Sequence, residues 1–483
     1  MKLGELIEKV DIIATAADPD LEVSSVCFDT RKQEAGCLFV AVRGYAADGH
    51  RYIAEAVEKG AVCVISEETP DMEDQPPYIL VRDSRKALAA VSAAWFGYPA
   101  SKLDIIGVTG TNGKTTVTSL IKQVVEMCSG GIAGLIGTNG IMIGDEESDA
   151  EHTTPESYDV QRYLAKMADA GCRYAVMEVS SHALRLDRLY GIGFEAGVYT
   201  NLSPDHLDFH DSMEDYAAAK TLLFANSRVS VINIDDAYAE QMISSVTGVL
   251  YKYSVIDDSA DFVAKNMKLQ ADRVDFSVLT VGSLNRIVLN IPGLFSVYNA
   301  MAVISTLNPL GFEMEDISDA LRKCAGVKGR AELVPTGRDF TVMIDYAHTP
   351  DALRNIIATV RGFANGRVVT LFGCGGDRDK TKRPKMGGIA AELSDFVIVT
   401  SDNPRTEKPG DIINDILSGM KDTKTRYCVI ENRREAIHWA LGNSAPGDVL
   451  ILAGKGHETY QILGKEKTHF DEREVVAEYF AGL

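Results

Sequence analysis

Residues 110–116 read Gly110-Thr111-Asn112-Gly113-Lys114-Thr115-Thr116, a mixture of bare backbone, one ammonium and several hydroxyls suited to holding a polyphosphate. A glycine-rich loop lets backbone N–H groups point at phosphate oxygens, and a helix starting there adds positive potential. Lys114 would reach the outer phosphates and the Thr115 hydroxyl would hold Mg²⁺. The spacing departs from G-x-x-x-x-G-K-[ST], because counting back from Gly113 puts Val108 where the first glycine belongs. Gly107 and Gly110 are therefore expected to make the turn. A bare G-x-x-G-K-T also fits an ordinary strand-to-helix turn capped by threonine, so the surroundings decide.

Three further clusters carry polar chemistry: Thr153-Thr154-Pro155-Glu156, Glu178-Val179-Ser180-Ser181-His182, and the stretch 200–210, which includes Asp205-His206-Leu207-Asp208. A carboxylate at Glu178 and an imidazole at His206 could complete the shell of a divalent ion beside phosphates, since Mg²⁺ takes few protein ligands and keeps waters. Taken singly, Glu178 could be a helix cap and His206 an ordinary loop histidine. Four polar loops follow in the last third, at 345–351, 373–380, 402–405 and 454–458. In the first hundred residues, Phe28-Asp29-Thr30-Arg31 and the 43–50 loop are polar clusters that could equally be turns.

The elements that must position these groups read as α/β throughout. β-branched residues over 105–109 run into the glycine-rich loop, and Val117, Leu120, Ile121, Val124, Val125 and Cys128 then recur at helical spacing. Residues 1–98 suggest a small α/β domain with strands over 36–42, 61–66 and 78–81 and helices over 52–59 and 84–96, closed by Gly97-Tyr98-Pro99. Residues 99–328 alternate strand and helix, with strands over 174–179, 196–201 and 229–233, as a mostly parallel sheet does. Residues 329–483 repeat the pattern with strands over 340–345, 367–372, 395–400 and 449–453. Ligands of such sheets sit beyond the C-terminal ends of the strands, where the polar loops fall.

At 483 residues the chain is too long for one core, and 46% hydrophobic with 24% charged residues is an ordinary globular composition. A net charge of −20 argues against nucleic acid or an anionic membrane as partner, so an anionic substrate must be gripped by local cations. Eight cysteines without a C-x-x-C read as buried thiols of a reducing compartment. Charges among the first nine residues and the lack of a transmembrane-length apolar run suggest a cytoplasmic protein.

Taken together the motifs resemble the Mur ligases, ATP-dependent amide-forming enzymes of cell-wall precursor synthesis. The resemblance rests on T-G-T-N-G-K-T-T at 109–116, M-E-V-S-S-H at 177–182, T-N-L-S-x-D-H-L-D-x-H at 200–210, the 216–220 segment, Asn299, G-R-x-E at 329–332 and D-Y-A-H-T-P at 345–350. It implies three domains: an N-terminal α/β domain for a uridine nucleotide, a central P-loop domain for ATP, and a Rossmann-like C-terminal domain for an amino acid. It further implies an acyl-phosphate mechanism and a monomer, with UDP-N-acetylmuramoyl-L-alanyl-D-glutamate and meso-diaminopimelate as substrates.

By the same resemblance Asn299, placed at the start of a helix, contacts adenine, Asp345 the ribose, and Arg330 lies close to the nucleotide. Thr30, Thr153, Thr154, Ser180 and Arg188 bind the muramoyl dipeptide. Thr115 and Glu178 hold magnesium, and a carbamylated Lys220 with His206 nearby holds a second ion. Without that likeness Lys220, after three alanines, reads as an exposed helical lysine. Arg378, Asp402, Asn403, Pro404, Arg405, Gly454 and Glu458 correspond to the diamino-acid site. Meso-diaminopimelate and L-lysine differ by one distal carboxylate, and Arg405 in the D-N-P-R motif supplies the cation that selecting the former requires. The alternatives are a lysine-adding homologue, a folylpolyglutamate synthase-like ligase, which would lack the first domain, and a nucleotide-dependent binding protein using ATP as a switch.

Overall fold

Runs of Val, Ile and Leu bounded by glycine or polar loops form the strands of three successive sheets in the computed structural model, which describes every residue except Tyr45, Ala46, Glu73, Glu151, Asp208, Ala271 and Leu483. Tyr45 and Ala46 of the 43–50 loop and Asp208 of the 200–210 motif thus lie outside the described residues.

The first sheet has the order Ile12–Thr15, Tyr78–Val81, Cys63–Ser66, Cys37–Val40, Ser25–Cys27, parallel except for the first strand. Ile12–Thr15 and Ser25–Cys27 are additions to the strands expected. One is a mostly exposed edge and the other spans three residues, so neither carries a clear apolar pattern. Helix Ser84–Trp95 starts where the Asp83 carboxylate accepts from the Arg85 and Lys86 N–H groups, and it buries Leu88 and Val91 in the core of this sheet. The helix expected over 52–59 is a 3-10 turn, Gly49–Tyr52, followed by Ile53–Glu58.

The central sheet has eleven strands, with Asp104–Thr109 flanked by Phe194–Tyr199 and Tyr174–Glu178, both parallel to it. Antiparallel strands extend both edges: Gly140–Ile143 and Glu146–Ser148 on one side, Val274–Thr280 and Ser283–Leu289 on the other. Gly107 does not make the phosphate-loop turn. It lies inside the strand, where a Cβ would come within 2.8 Å of the Phe194 ring. The turn belongs to Gly110 and Gly113, at φ 148° and 88°. Helix Lys114–Ser129 follows and ends on Gly130 in the left-handed conformation.

The third sheet runs Glu332–Val334, Thr341–Asp345, Val449–Ala453, Val368–Phe372, Phe396–Val399, Arg426–Val429, parallel apart from the first strand. Because Val449–Ala453 inserts between Thr341–Asp345 and Val368–Phe372, the loops after these strands and after Phe396–Val399 open on one edge. Among the described residues no helix is long and apolar enough to cross a membrane.

Candidate active site between the central and C-terminal sheets

The phosphate loop is stapled to the strand end beside it. The Thr111 N–H donates to the Asn201 carbonyl (2.9 Å), the Asn112 N–H to Asn201 Oδ1 (2.9 Å), and the Thr200 hydroxyl to the Asn112 carbonyl (2.7 Å). A Cβ on Gly110 would lie 1.9 Å from the Thr200 hydroxyl, so only glycine fits. Lys114 Nζ folds back onto the carbonyls of Gly110 (2.8 Å) and Thr111 (2.9 Å). Burial lowers its pKa, with Glu178 opposing and Arg330 reinforcing the shift. Thr115 and Thr116 are buried in the first helical turn.

Lys220 is fully buried, contrary to its reading as an exposed helical lysine. Its Nζ donates to the same Gly110 carbonyl (3.1 Å) and stands 4.6 Å above the Tyr216 ring, whose hydroxyl meets that of Thr111 at 3.2 Å. Burial, then the neighbouring Lys114 ammonium, push the Lys220 pKa well down. His206 is half-exposed and packs edge-on to His182 (4.9 Å between centroids) and Tyr216 (6.1 Å). His210, behind them, is locked between Asp215 (3.0 Å) and Ser181 (2.9 Å).

Glu178, at the end of the neighbouring strand, is buried and accepts from the Thr115 hydroxyl (3.1 Å), the Thr138 N–H (2.7 Å) and the Thr138 hydroxyl (3.1 Å). A Cβ on Gly137 would come within 2.5 Å of this carboxylate. Thr138 passes the network to Thr153 (3.0 Å), and Thr154 joins the Glu178 carbonyl (2.8 Å) to the Ser180 N–H (3.1 Å). The Ser180 hydroxyl caps the next helix, and Arg188 donates to the Thr154 carbonyl (3.0 Å) while pairing with Glu156 (3.3 Å). Thr30 sits in the first sheet's unit, which meets this region through Phe28 and Phe96 against Tyr158 and through Arg85 beside Glu156.

Thr115 and Glu178 offer adjacent hydroxyl and carboxylate oxygens, a donor set that suits a hard cation such as Mg²⁺. Among the described residues no group of three or more His, Cys, Asp or Glu could hold a metal ion.

The C-terminal unit reaches this loop directly. Arg330 Nη2 donates to the Thr115 hydroxyl (3.1 Å), its guanidinium lies 4.8 Å over the Tyr346 ring, and its buried Nε has no hydrogen-bond partner among the described residues. Asp345 accepts from the Ala331 N–H (2.7 Å); burial raises its pKa and Arg330 opposes. Asn299 lies in the second turn of helix Leu294–Leu307, not at its start, and its Oδ1 would be 2.7 Å from a Cβ on Gly113. Asp205 feels His206, His348 and Lys114 together, and these hold its carboxyl below the usual range against its burial. Asp402 feels His348 in turn. Tyr346, under the Arg330 guanidinium, also meets the His457 ring (4.8 Å between centroids), so the phosphate loop connects to the D-N-P-R loop through Arg330, Tyr346 and the 454–458 loop, whose Glu458 accepts from Asn403.

Around that second loop, Arg405 stands at φ 51° with Nη1 donating to the Gly376 carbonyl (2.8 Å). A Cβ on Gly375 would be 3.0 Å from Arg405 Nη1 and 3.8 Å from Arg378 Cγ, so the two arginines flank one glycine; Arg378 is exposed. Asn403 Nδ2 donates to Glu458 (2.8 Å), Pro404 is buried, and position 454 requires glycine, because its φ is 112° and a Cβ would meet Asp402 Oδ2 at 2.8 Å. Asp402 Oδ2 is buried without a hydrogen-bond partner among the described residues; burial works against its charge, yet Lys455 and Arg433 hold the carboxyl below its usual range. Lys455, Arg433 and His348 were given no role from the sequence. Lys455 and His348 lie within the polar loops 454–458 and 345–351, whereas Arg433 lies in no motif.

Three family models match the chain: the Mur ligase family catalytic domain over residues 22–96, the Mur ligase middle domain over 108–307, and the Mur ligase glutamate ligase domain over 329–456. UDP-N-acetylmuramoyl-L-alanyl-D-glutamate--2,6-diaminopimelate ligase of Caldanaerobacter subterraneus subsp. tengcongensis is 48% identical, covering 100% of this chain and 99% of its own. The same-named protein of Clostridioides difficile is 43% identical over 99% of each chain. A solved structure under that ligase name superposes with TM-score 0.73 at 32% identity, over 100% of this chain and 99% of its own. Mycobacterium tuberculosis folylpolyglutamate synthase complexed with ADP gives TM-score 0.64 at 18% identity over 76% of this chain and 91% of its own, a likeness of fold alone.

Proposed function

We propose that this chain, which belongs to the Mur ligase family, joins meso-2,6-diaminopimelate to UDP-N-acetylmuramoyl-L-alanyl-D-glutamate, driven by ATP, in peptidoglycan precursor synthesis. A carboxylate does not condense with an amine at neutral pH. The dipeptide's free carboxylate oxygen therefore attacks the γ-phosphorus and ADP leaves; the amine then attacks the acyl carbon and phosphate leaves. Such transfer needs positioning and charge neutralisation rather than covalent help from the protein.

Within this reading the phosphate loop, from Gly110 to Thr116, cradles the phosphates and Lys114 neutralises the β and γ oxygens. Asn299, Asp345 and Arg330 hold the rest of the nucleotide. Mg²⁺, held by Thr115 and Glu178, and a second ion near His206 and a carbamylated Lys220, would supply charge stabilisation at the transferring phosphoryl group. Thr30, Thr153, Thr154, Ser180 and Arg188 orient the uridine-linked dipeptide; Arg378, Arg405, Asp402, Asn403, Pro404, Gly454 and Glu458 receive the diamino acid. Its nucleotide substrates and eight free thiols fit a cytoplasmic location, and the same reading takes the chain as a monomer.

The observation that carries the proposal is the hydrogen bond from Arg330 to Thr115 (3.1 Å), which ties the start of the C-terminal unit to the phosphate loop. Stoichiometric release of ADP and phosphate that requires both the muramoyl dipeptide and the diamino acid is the expected result. Continuous ATP turnover that depends on neither the dipeptide nor the diamino acid would instead make the nucleotide site a switch.

A further inference from the structure

Lys455 is among the largest fully buried side chains of the molecule and lies between two glycines whose backbones leave no room for a side chain. Gly454 and Gly456 take φ 112° and 54°, and a Cβ on Gly456 would come within 2.6 Å of Tyr346 Cβ. This turn drives the lysine inward, against the cost of burying a charge. Its ammonium donates to Asn403 Oδ1 (3.2 Å) and Glu458 Oε2 (3.0 Å). Asn403 Oδ1 also accepts from the Ile462 N–H (3.0 Å), while Asn403 Nδ2 donates to the same Glu458 Oε2 (2.8 Å).

Two consequences follow from which atom bonds which. Oδ1 of Asn403 is fixed by two donors, so its amide cannot flip. Among the described residues both donors to Glu458 fall on Oε2, which leaves Oε1 for an incoming ammonium. We propose that Lys455 is a positioning residue for the amino-acid substrate: its buried ammonium fixes the Asn403 amide and turns the Glu458 carboxylate so that one oxygen is presented to the substrate's amine. The inference rests on the amino-acid site proposed above. Burial raises the Glu458 pKa and Lys455 is the first group opposing that rise, which agrees with the geometry. Asp402 also faces Glu458 and works in the opposite sense, so the lysine is the cation that keeps two neighbouring carboxylates compatible.

The test is a steady-state comparison of Lys455→Met and Lys455→Arg with the unmodified enzyme, measuring KM separately for meso-diaminopimelate, ATP and the muramoyl dipeptide. Loss of a charge-assisted hydrogen bond predicts a KM for the diamino acid raised by about tenfold or more in Lys455→Met, with the other two constants within about twofold, and a partial return in Lys455→Arg. A uniform change in all three constants, or a fall in melting temperature with unaltered KM values, would reduce Lys455 to a structural residue and overturn the proposal. If Lys455→Met does not fold, Lys455→Arg decides by the same criterion. Arg405→Ala is measured alongside. Should it leave the diamino acid's KM unchanged, the amino-acid site itself is wrong; should it raise that KM while the Lys455 variants do not, only the present inference falls.

Discussion

Lys114 and Lys220 donate to one carbonyl oxygen, that of Gly110, so two cations are aimed at a single point beneath the phosphate loop. Burial and mutual repulsion favour the neutral amine of Lys220, and the neutral amine is the form that adds carbon dioxide. A carbamate there would replace repulsion by attraction to Lys114. Lys220→Ala is accordingly expected to lose about two orders of magnitude or more in turnover, and excess bicarbonate should not restore it; near-normal turnover would remove the carbamate from the account. For Arg405→Ala, loss of a charged hydrogen-bond pair worth about 1.5–3 kcal/mol predicts a diaminopimelate KM higher by roughly ten- to hundredfold with little change for ATP. Equal changes in both constants would contradict a selectivity role. At this scale the residues with recurrent local patterns were legible, and Lys455 and Arg433 were not. Lys220 stands out only by its place in a family pattern, because three preceding alanines say helix and nothing about the Tyr216 ring beside it.

The elements supporting the amino-acid loops depend on ion pairs distant in sequence. Arg433 and Glu472 are both fully buried, 2.8 Å apart, and Arg433 also donates to the Ala453 carbonyl (2.8 Å) at the end of Val449–Ala453. Arg433→Met would strand the Glu472 carboxylate without its partner, and a loss of about 3–5 kcal/mol on denaturant unfolding is expected. Arg383, equally buried, pairs with Glu407 and Asp415 and holds Glu407 down to about 2. A carboxyl depressed in the folded state contributes stability above its ordinary value of 4.5, and that contribution is lost as pH falls through about 2. Glu407→Gln should therefore be less stable than the unmodified protein at neutral pH, with the difference closing between those two values in acid melts; a difference constant with pH would show that the pair does not titrate. Strand types were readable where β-branched runs met polar loops, as for Val449–Ala453. The antiparallel extensions of the central sheet were not, because a half-buried strand such as Val274–Thr280 has an alternating pattern easily lost among polar turns.

For the molecule as a whole, the three-part α/β order was legible from alternating strands and helices, whereas contact between parts was not, since no periodicity encodes it. Arg330, bonded to the Thr115 hydroxyl, joins halves 215 residues apart in sequence. Where these units meet, an acyl phosphate would form beside the site for the amine that consumes it, and Arg405 would decide which diamine is accepted. The most direct measurement offers meso-diaminopimelate and L-lysine in equal concentration with ATP and the muramoyl dipeptide, and weighs the products by mass. The account predicts a tripeptide carrying diaminopimelate, with the lysine product lower by about two orders of magnitude or more. Comparable incorporation of lysine would contradict it.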